Sequence, residues 1–567
     1  MVDHRAVACV LAVAGVFLAG PAVRGTPGGP TATAQRAGIG QATISGEVRR
    51  TSATGDVAPS VDVWAADAAT GAEVGRNQTD GNGRFTMTVP AGRYTISAAR
   101  PGYLLAEYGS SRYALPGSPI VVTAGQHEQI QLVIHRGAVV TGVVRSETGA
   151  PIASAIVELW RPSMPTGLER EFVSRATTDA NGIYRVEGLP PGAYLAVAMM
   201  KSHRTTPGNA QERVRAPAAQ FFPATEAESQ ADRVTVEADE ERTSVDFMLP
   251  RRPLTTLTGV LMVSDNVKLF GDVVAIVTGV ENSPPTWEAP PIRSGGRFIL
   301  PLHPGRYRID VRAYGSRVDR PQQPEGRLYF ASAVVEVEDV AAVTRELPLR
   351  EGLRVEGQVR ALDGQLGSLS LRLVPASSRQ PAARPVTAAI TPAGRFSAEG
   401  LAPGRYRVEL LDDAWVLDAV RFRGQLQVGF TVDVEDAVSV DQLELVVAPL
   451  TASLSGTVVG TDAGVSSHVI ALLSESGAEH GPVSSRLALT RADNRGGYLF
   501  SKQRPGSYQL FLLRSPELAD LSSSTFQDEL RRDSSAGIQV TLMAGTETRM
   551  DVRMRVPKVL PDLLTVR

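Results

Sequence analysis

Residues 189–197 read LPPGAYLAV, and the stretch returns as VPAGRYTIS (89–97), LHPGRYRID (302–310), LAPGRYRVE (401–409) and QRPGSYQLF (503–511). Each copy is a turn ending in Gly, one spacer residue, a Tyr, and then residues that mostly alternate in character. A side-chain period of two marks a strand with one buried face. In the third copy Tyr307, Ile309 and Val311 share one face, and Arg308, Asp310 and Arg312 share the other. In the fourth, Tyr406, Val408 and Leu410 oppose Arg407, Glu409 and Leu411. Gly92, Gly192, Gly305, Gly404 and Gly506 stand two residues before each Tyr, where positive φ lets the chain turn sharply. The preceding Pro90, Pro191, Pro304, Pro403 and Pro505 stiffen the turn and cannot donate to a ladder. A Tyr at such a corner buries its ring and returns its hydroxyl to nearby backbone. All five tyrosines are therefore expected to be structural.

Other signals recur around these turns. Each unit opens with a Gly in mid-strand: ISGEV (44–48), VTGVV (140–144), LTGVL (257–261), VEGQV (355–359) and LSGTV (454–458). Such a Gly marks a bulge or a close backbone approach. A second strand follows, VDVWA (61–65) or AIVELW (155–160), in which Trp64 and Trp160 are expected in the core. Next come TDGNGRFTM (79–87), TDANGIYRV (178–186), SGGRFIL (294–300), PAGRFSA (392–398) and DNRGGYLF (493–500). From the aromatic of this step to the Tyr of the organising turn is nine or ten residues, a spacing that predicts a hairpin. Two further strands close each unit, as in 118–134 and 430–447.

Short strands at regular spacing with Gly/Pro turns predict an all-β chain: a tandem array of five seven-stranded β-sandwiches at 41–135, 136–251, 252–350, 351–449 and 450–556, with a tail at 557–567. Units of about 100 residues bury enough surface to fold without staples. The short links favour a semi-rigid row of beads. Insertions at about 201–232, with Phe221-Phe222-Pro223, and about 515–536, with a helix start at Ser515-Pro516-Glu517 and Leu518 and Leu521 following, are the first places to look for a ligand. So is the loop with Tyr103, Tyr108 and Tyr113.

Formal net charge is -2, and the arginines are scattered, which argues against a nucleic-acid partner. Residues 1–34 read as a signal peptide and spacer: Arg5 precedes the apolar run 6–20, and Ala32-Thr33-Ala34 or Gly20-Pro21-Ala22 offers a cleavage site. The run falls short of the roughly 20 residues that span a bilayer, so no integral span is expected after cleavage, although an uncleaved anchor stays open. The single cysteine, Cys9, lies inside this segment, so a cleaved chain has neither disulfide nor thiol nucleophile.

The combined pattern of G-x-V, V-x-V/L-W, T-D-x-N-G-x-F/Y and P-x-G-x-Y resembles the carboxypeptidase regulatory-like domains, a family of transthyretin-like (prealbumin-like) seven-stranded sandwiches. The resemblance is strong at 44–103 and 140–200. It is partial at 257–314, 355–411 and 454–513, where the T-D-x-N-G turn becomes Ser294-Gly295-Gly296, Pro392-Ala393-Gly394 and Asp493-Asn494-Arg495-Gly496. It implies non-catalytic modules of exported bacterial proteins, some relatives of this carbohydrate-binding-like fold binding starch. It supplies no catalytic residue.

The residues themselves assemble no reaction centre. His127, His135, His203, His303, His468 and His480 are scattered, and His127-Glu128 has no second His four residues on, as H-E-x-x-H zinc chemistry requires. Neither G-x-S-x-G nor G-x-x-x-x-G-K occurs. Asp80-Gly81-Asn82-Gly83 and Asp179-Ala180-Asn181-Gly182 superficially resemble the start of a calcium loop, but lack its later carboxylates and closing Glu, and the same residues suit a tight turn. Trp287, in SPPTWEAPP (283–291), and Trp415 lie off the strand patterns, open either to stacking on a ligand or to folding onto their own sandwich. No catalytic, cofactor-binding or metal residue is assigned, no cofactor is expected, and the ligand-binding residues are unknown. The chain is expected to be a non-enzymatic interaction rod, secreted, periplasmic or at the cell surface, with a protein or carbohydrate partner at the envelope. The alternatives are a carbohydrate-binding module array and an accessory subunit of a separate enzyme or transporter.

Overall fold

The computed structural model describes residues 40–553 except 52–54, 111–112, 114, 163–169, 201–213, 280–286, 289–295, 318–326, 377–383, 436, 440, 460–467, 476–485, 515–523 and 533–536. The signal segment with Cys9, His203, His480, the expected helix start at 515–517 and the tail lie outside the described residues, as does the side chain of Trp287. The chain divides into two compact units, one of Met1–Arg136 with Pro449–Arg567, the other of Gly137–Ala448.

One plan recurs. In sandwich 1 the opening strand Gln41–Arg50 lies between Arg84–Pro90, antiparallel to it, and His127–Ile134, parallel to it. The facing sheet runs Glu73–Gln78, Asp62–Asp67, Gly92–Ala99, with Ala106–Glu107 and Ile120–Val122 on the outer edge of the last. The opening strands Ala138–Ser146, Thr255–Met262, Leu353–Ala361 and Ala452–Val459 repeat this pairing in sandwiches 2 to 5. Each sandwich has its own apolar cluster between its sheets: around Ile44 and Ile96, Val140 and Leu159, Leu257 and Ile309, Leu373 and Val408, and Leu454 and Leu510.

The expected hairpin is not formed. Arg84–Pro90 and Gly92–Ala99 lie in opposite sheets, and the equivalent strands do so in all five sandwiches. The organising turn is a corner that carries the chain across the core. A Pro without an N–H suits a crossing, where no ladder bond is required, and the constant spacing reflects the distance between sheets, about 10 Å.

The corner tyrosines are structural, as expected. Each hydroxyl donates to the carbonyl four residues back: Tyr94 to Pro90 at 2.8 Å, Tyr194 to Pro190 at 2.5 Å, Tyr307 to His303 at 3.0 Å, Tyr406 to Ala402 at 2.8 Å and Tyr508 to Arg504 at 2.7 Å. Burial pushes the Tyr508 hydroxyl up to about 12 and raises those of Tyr94, Tyr307 and Tyr406 as well. An unfolded Tyr loses its proton near pH 10. The folded chain holds these protons more tightly, so their stabilisation is complete below about pH 10 and is lost as pH rises toward 12 and beyond. Alkaline titration should therefore show tyrosinate absorbance of the corner residues appearing together with loss of β circular dichroism. Corner tyrosines that titrate near pH 10 in a still-folded chain would contradict this.

Two motifs that look separate in the sequence meet across the ladder. The mid-strand Gly of each opening strand pairs with the aromatic of the Gly-x-aromatic step: Gly46 with Phe85, Gly142 with Tyr184, Gly259 with Phe298, Gly357 with Phe396 and Gly456 with Tyr498. A Cβ at Gly259 would lie 2.0 Å from the Phe298 ring, and one at Gly142 would lie 2.1 Å from the Val245 carbonyl. Where the aromatic is Tyr, its hydroxyl goes to the closing strand, Tyr184 to Val245 O and Tyr498 to Met550 O, both at 2.6 Å. In these two sandwiches the closing strand is interrupted there, and a carboxylate fills the gap: Asp246 accepts from Val143 N and Asp551 from Thr457 N, each at 2.8 Å.

The insertions are covers. In YLAVAMM (194–200) the alternation fails, because Leu195, Val197 and Met199 point away from the core and are nonetheless buried. They pack with Phe221 from the insertion, whose strand Gln220–Phe221 also pairs with Val197–Ala198. In sandwich 5, Val469, Ala471, Leu473 and Phe511 on the corresponding face pack with Leu487 and Leu489 and with Phe526 and Leu530 of the helix Ser524–Arg532. The described parts of both insertions thus bury an apolar outer sheet face, at about 25 cal/mol per Å² removed from water. Within the second unit the links are held by ladders too: Arg251–Pro253 pairs with Arg215–Pro217, and Arg350–Glu351 with Tyr329 and Phe330. Among the described residues, no helix is long and apolar enough to cross a membrane.

Candidate functional site

In the T-D-x-N-G turns one carboxylate oxygen of each Asp closes the turn on its own backbone. Asp80 Oδ1 accepts the N–H groups of Asn82 and Arg84 at 2.9 and 2.8 Å, and Asp179 Oδ1 those of Asn181 and Ile183, both at 2.8 Å. The preceding Thr is buried and bridges two backbone groups: Thr79 accepts from Val61 N and donates to Ala58 O, and Thr178 accepts from Ala155 N and donates to Ile152 O. Sandwich 4 achieves a similar closure with Thr391, whose hydroxyl accepts from Arg395 N at 3.0 Å. The conserved chemistry of this turn within the chain is therefore backbone capping. Among the described residues, no group of three or more His, Cys, Asp or Glu is placed to hold a metal ion. Adding calcium should leave the melting temperature unchanged, whereas Asp179→Ala should cost sandwich 2 about 1–2 kcal/mol through two lost charge-assisted bonds. A calcium-dependent rise of several degrees, reversed by chelation, would reassign the turn.

The aromatic candidates divide between packing and exposure. The Arg76 guanidinium lies 4.9 Å from the centroid of the Trp64 ring. Tyr103 and Tyr108 pack against the first core, and Trp415 against the fourth. Trp160 donates to Glu158 Oε2 at 3.1 Å and meets Phe172 edge-on, 5.4 Å between centroids, with Phe172 41% exposed. A shallow cleft in sandwich 1, lined by Leu104, Glu107, Tyr113, Val133 and His135 among others, holds about 20 Å³, room for little more than one water molecule. It is smaller than the roughly 300–1,000 Å³ of ordinary ligand pockets.

The most developed polar constellation lies where the turn motif departs from its pattern. In sandwich 5 the turn reads Arg491-Ala492-Asp493-Asn494-Arg495-Gly496-Gly497. Asp493 Oδ1 still caps it, accepting from Arg495 N and Gly497 N at 2.9 and 2.8 Å. Its Oδ2 takes Arg93 Nη1 of sandwich 1 at 2.6 Å, with the Asp493 side chain 4% exposed. Asn494 occupies the tip, where sandwiches 1 and 2 have Gly81 and Ala180. Its carboxamide accepts from Val121 N at 3.0 Å and donates to Val121 O at 3.4 Å, as a neighbouring strand would on the edge strand Ile120–Val122. Arg495 reaches Gln126 Oε1 at 3.2 Å. Buried Arg491 donates to Pro116 O at 2.7 Å, and Leu115 packs on Val469. Beside them burial raises the Glu107 carboxyl, opposed by the Gly117 N–H, 2.6 Å away, and by the charge of Arg491.

The first and last sandwiches therefore meet, which corrects the expected row of beads at its two ends. In the sequence, Asp493-Asn494-Arg495-Gly496 reads as a degraded T-D-x-N-G turn. The signal lay in how it is degraded, since two residues suited to hydrogen bonding stand where Gly-Asn or Ala-Asn suffices for the turn.

The model of the carboxypeptidase regulatory-like domain matches residues 43–135 and 139–250. Chlorocatechol 1,2-dioxygenase from Pseudomonas sp. (strain P51) is 28% identical over 123 residues, 18% of this chain and 47% of that protein, so the chain spans about half the length of this curated relative. Among solved structures, the Bacillus anthracis TIE protein is 12% identical with a TM-score of 0.16, over 71% of this chain and 73% of the other. The shaft pilin SpaA from Lactobacillus rhamnosus GG is 11% identical with a TM-score of 0.20, over 38% and 97%. At such scores neither carries an argument about this chain. The family match coincides with the two sandwiches that keep the full T-D-x-N-G turn and the corner Tyr, and the chain accordingly contains a tandem pair of carboxypeptidase regulatory-like domains, at 43–135 and 139–250.

Proposed function

We propose that the chain is an exported, non-enzymatic interaction protein of a bacterial cell surface or periplasm. It consists of a signal segment, 1–34, and five sandwiches with the boundaries given above, and its partner is a protein or a carbohydrate. One observation carries this reading: the motif residues that a reaction centre would draw on are already committed to the scaffold. The corner tyrosines bond their own turns, the turn aspartates cap backbone, and the described insertions cover sheet faces. Crosslinking in the native host followed by mass spectrometry, with the mature N-terminus read in the same run, tests it. Envelope partners and a cleaved N-terminus are expected, and a hydrolytic activity that survives in the purified chain would overturn it.

A second reading, a carbohydrate-binding array, is favoured by the Trp160–Phe172 pair, whose exposed ring suits stacking on a sugar face. Polysaccharide retention that falls with Phe172→Ala would support it. Uniform absence of binding across a glycan panel would remove it.

A further inference from the structure

We propose that the contact between the fifth and first sandwiches is also an interface between copies of this chain: the 491–497 turn of one copy seats on Arg93 and the Ile120–Val122 edge of another. The proposal stands independently of where the chain resides.

Three observations carry it. The two halves of the contact are complementary, yet the whole of Gly137–Ala448 lies between them in sequence, so no short linker confines the turn to its own sandwich 1. A second copy presents the same Arg93, Val121, Gln126 and Glu128 to the same Asp493, Asn494 and Arg495. Secondly, the receiving surface is a sheet edge. Val121 N–H and C=O are satisfied by one side-chain amide, a minimal substitute for a strand, and edges left without such cover recruit strands from other chains. Thirdly, the contact is made mostly of polar bonds, with one largely buried ion pair and a small apolar element at Leu115, a polar composition closer to that of an interface than to that of a domain core. Two different patches joined head to tail make a heterologous contact, which extends into open oligomers unless its rotation closes a ring. Closure within one copy wins in dilute solution, where the effective concentration of the tethered turn exceeds that of other copies; crowding copies together shifts the balance to exchange.

The test uses the full chain. Cys9→Ser removes the single native thiol, and Ala69→Cys with Ser501→Cys places reporters beside the contact, where Ser501 Oγ donates to Ala69 O at 3.4 Å. A short bismaleimide should give intrachain product in dilute solution and a rising ladder of interchain product as concentration increases. Adding Arg93→Glu, which opposes Asp493 with like charge, should reduce the ladder at least tenfold. Asn494→Gly, which restores the residue that sandwich 1 itself uses at the tip, should reduce it in a turn that still folds. Intrachain product alone at every concentration, or a ladder indifferent to both substitutions, would overturn the proposal.

Discussion

Gly142→Ala should destabilise sandwich 2 by about 3 kcal/mol, and Gly142→Val by more. The added Cβ would stand 2.1 Å from the Val245 carbonyl oxygen and 2.6 Å from its carbon, and both are backbone, so the parallel closing strand must move. Moving it breaks two linked features, the Tyr184 hydroxyl bond to Val245 O and the Asp246 carboxylate bond to Val143 N. Gly149→Ala is the matched control. Its φ of 84° imposes a conformational cost, but nothing lies within 4 Å of the new Cβ, so about 1 kcal/mol is expected. Trp64, Trp160 and Trp415 fall in three different sandwiches, so a chain that keeps Trp160 alone reports sandwich 2 by fluorescence during urea unfolding. A Gly142→Ala midpoint equal to wild type, or a shift no larger than that of Gly149→Ala, would refute the close approach.

Tyr406→Ala should cost sandwich 4 about 3–5 kcal/mol, and Tyr406→Phe only about 1 kcal/mol. The ring is fully buried among Leu371, Leu373, Val408 and their neighbours, and its loss leaves a cavity at the corner where the chain crosses between sheets. The Phe variant keeps the packing and deletes only the 2.8 Å bond to Ala402 O. Equal costs for the two variants would mean that the hydroxyl, not the ring, holds the corner. Trp415, packed on the same core, is the reporter.

Strand periodicity, turn chemistry and the recurrence of P-x-G-x-Y were enough to read the all-β class, the repeated plan and the structural duty of each corner Tyr from the chain alone. These features are local: a period of two, a Gly before a Tyr, a Pro without a donor. The pairing was not local. The aromatic-to-Tyr spacing is equally compatible with a hairpin and with a crossing between sheets, and only the ladders distinguish them, Phe85 opposite Gly46 in one sheet and Tyr94 opposite Asp67 in the other. The insertion at about 201–232 was legible as an insertion carrying Phe221-Phe222-Pro223, yet its packing depended on the unbroken apolar run 194–200, whose second face needs a cover.

The candidate site was the least legible part, because its two halves lie hundreds of residues apart and neither is unusual by itself. An arginine before a corner Tyr also occurs at Arg306 and Arg405, and an Asp-Asn pair is ordinary in a turn. What the order of residues determined is a set of two-sheet cores, since burial patterns and turn preferences act over a few residues. What tertiary structure alone decided is that Asp493 and Asn494 face Arg93 and Val121, because charge and hydrogen-bond complementarity between distant segments exists only once each core has set its own turn and edge in place.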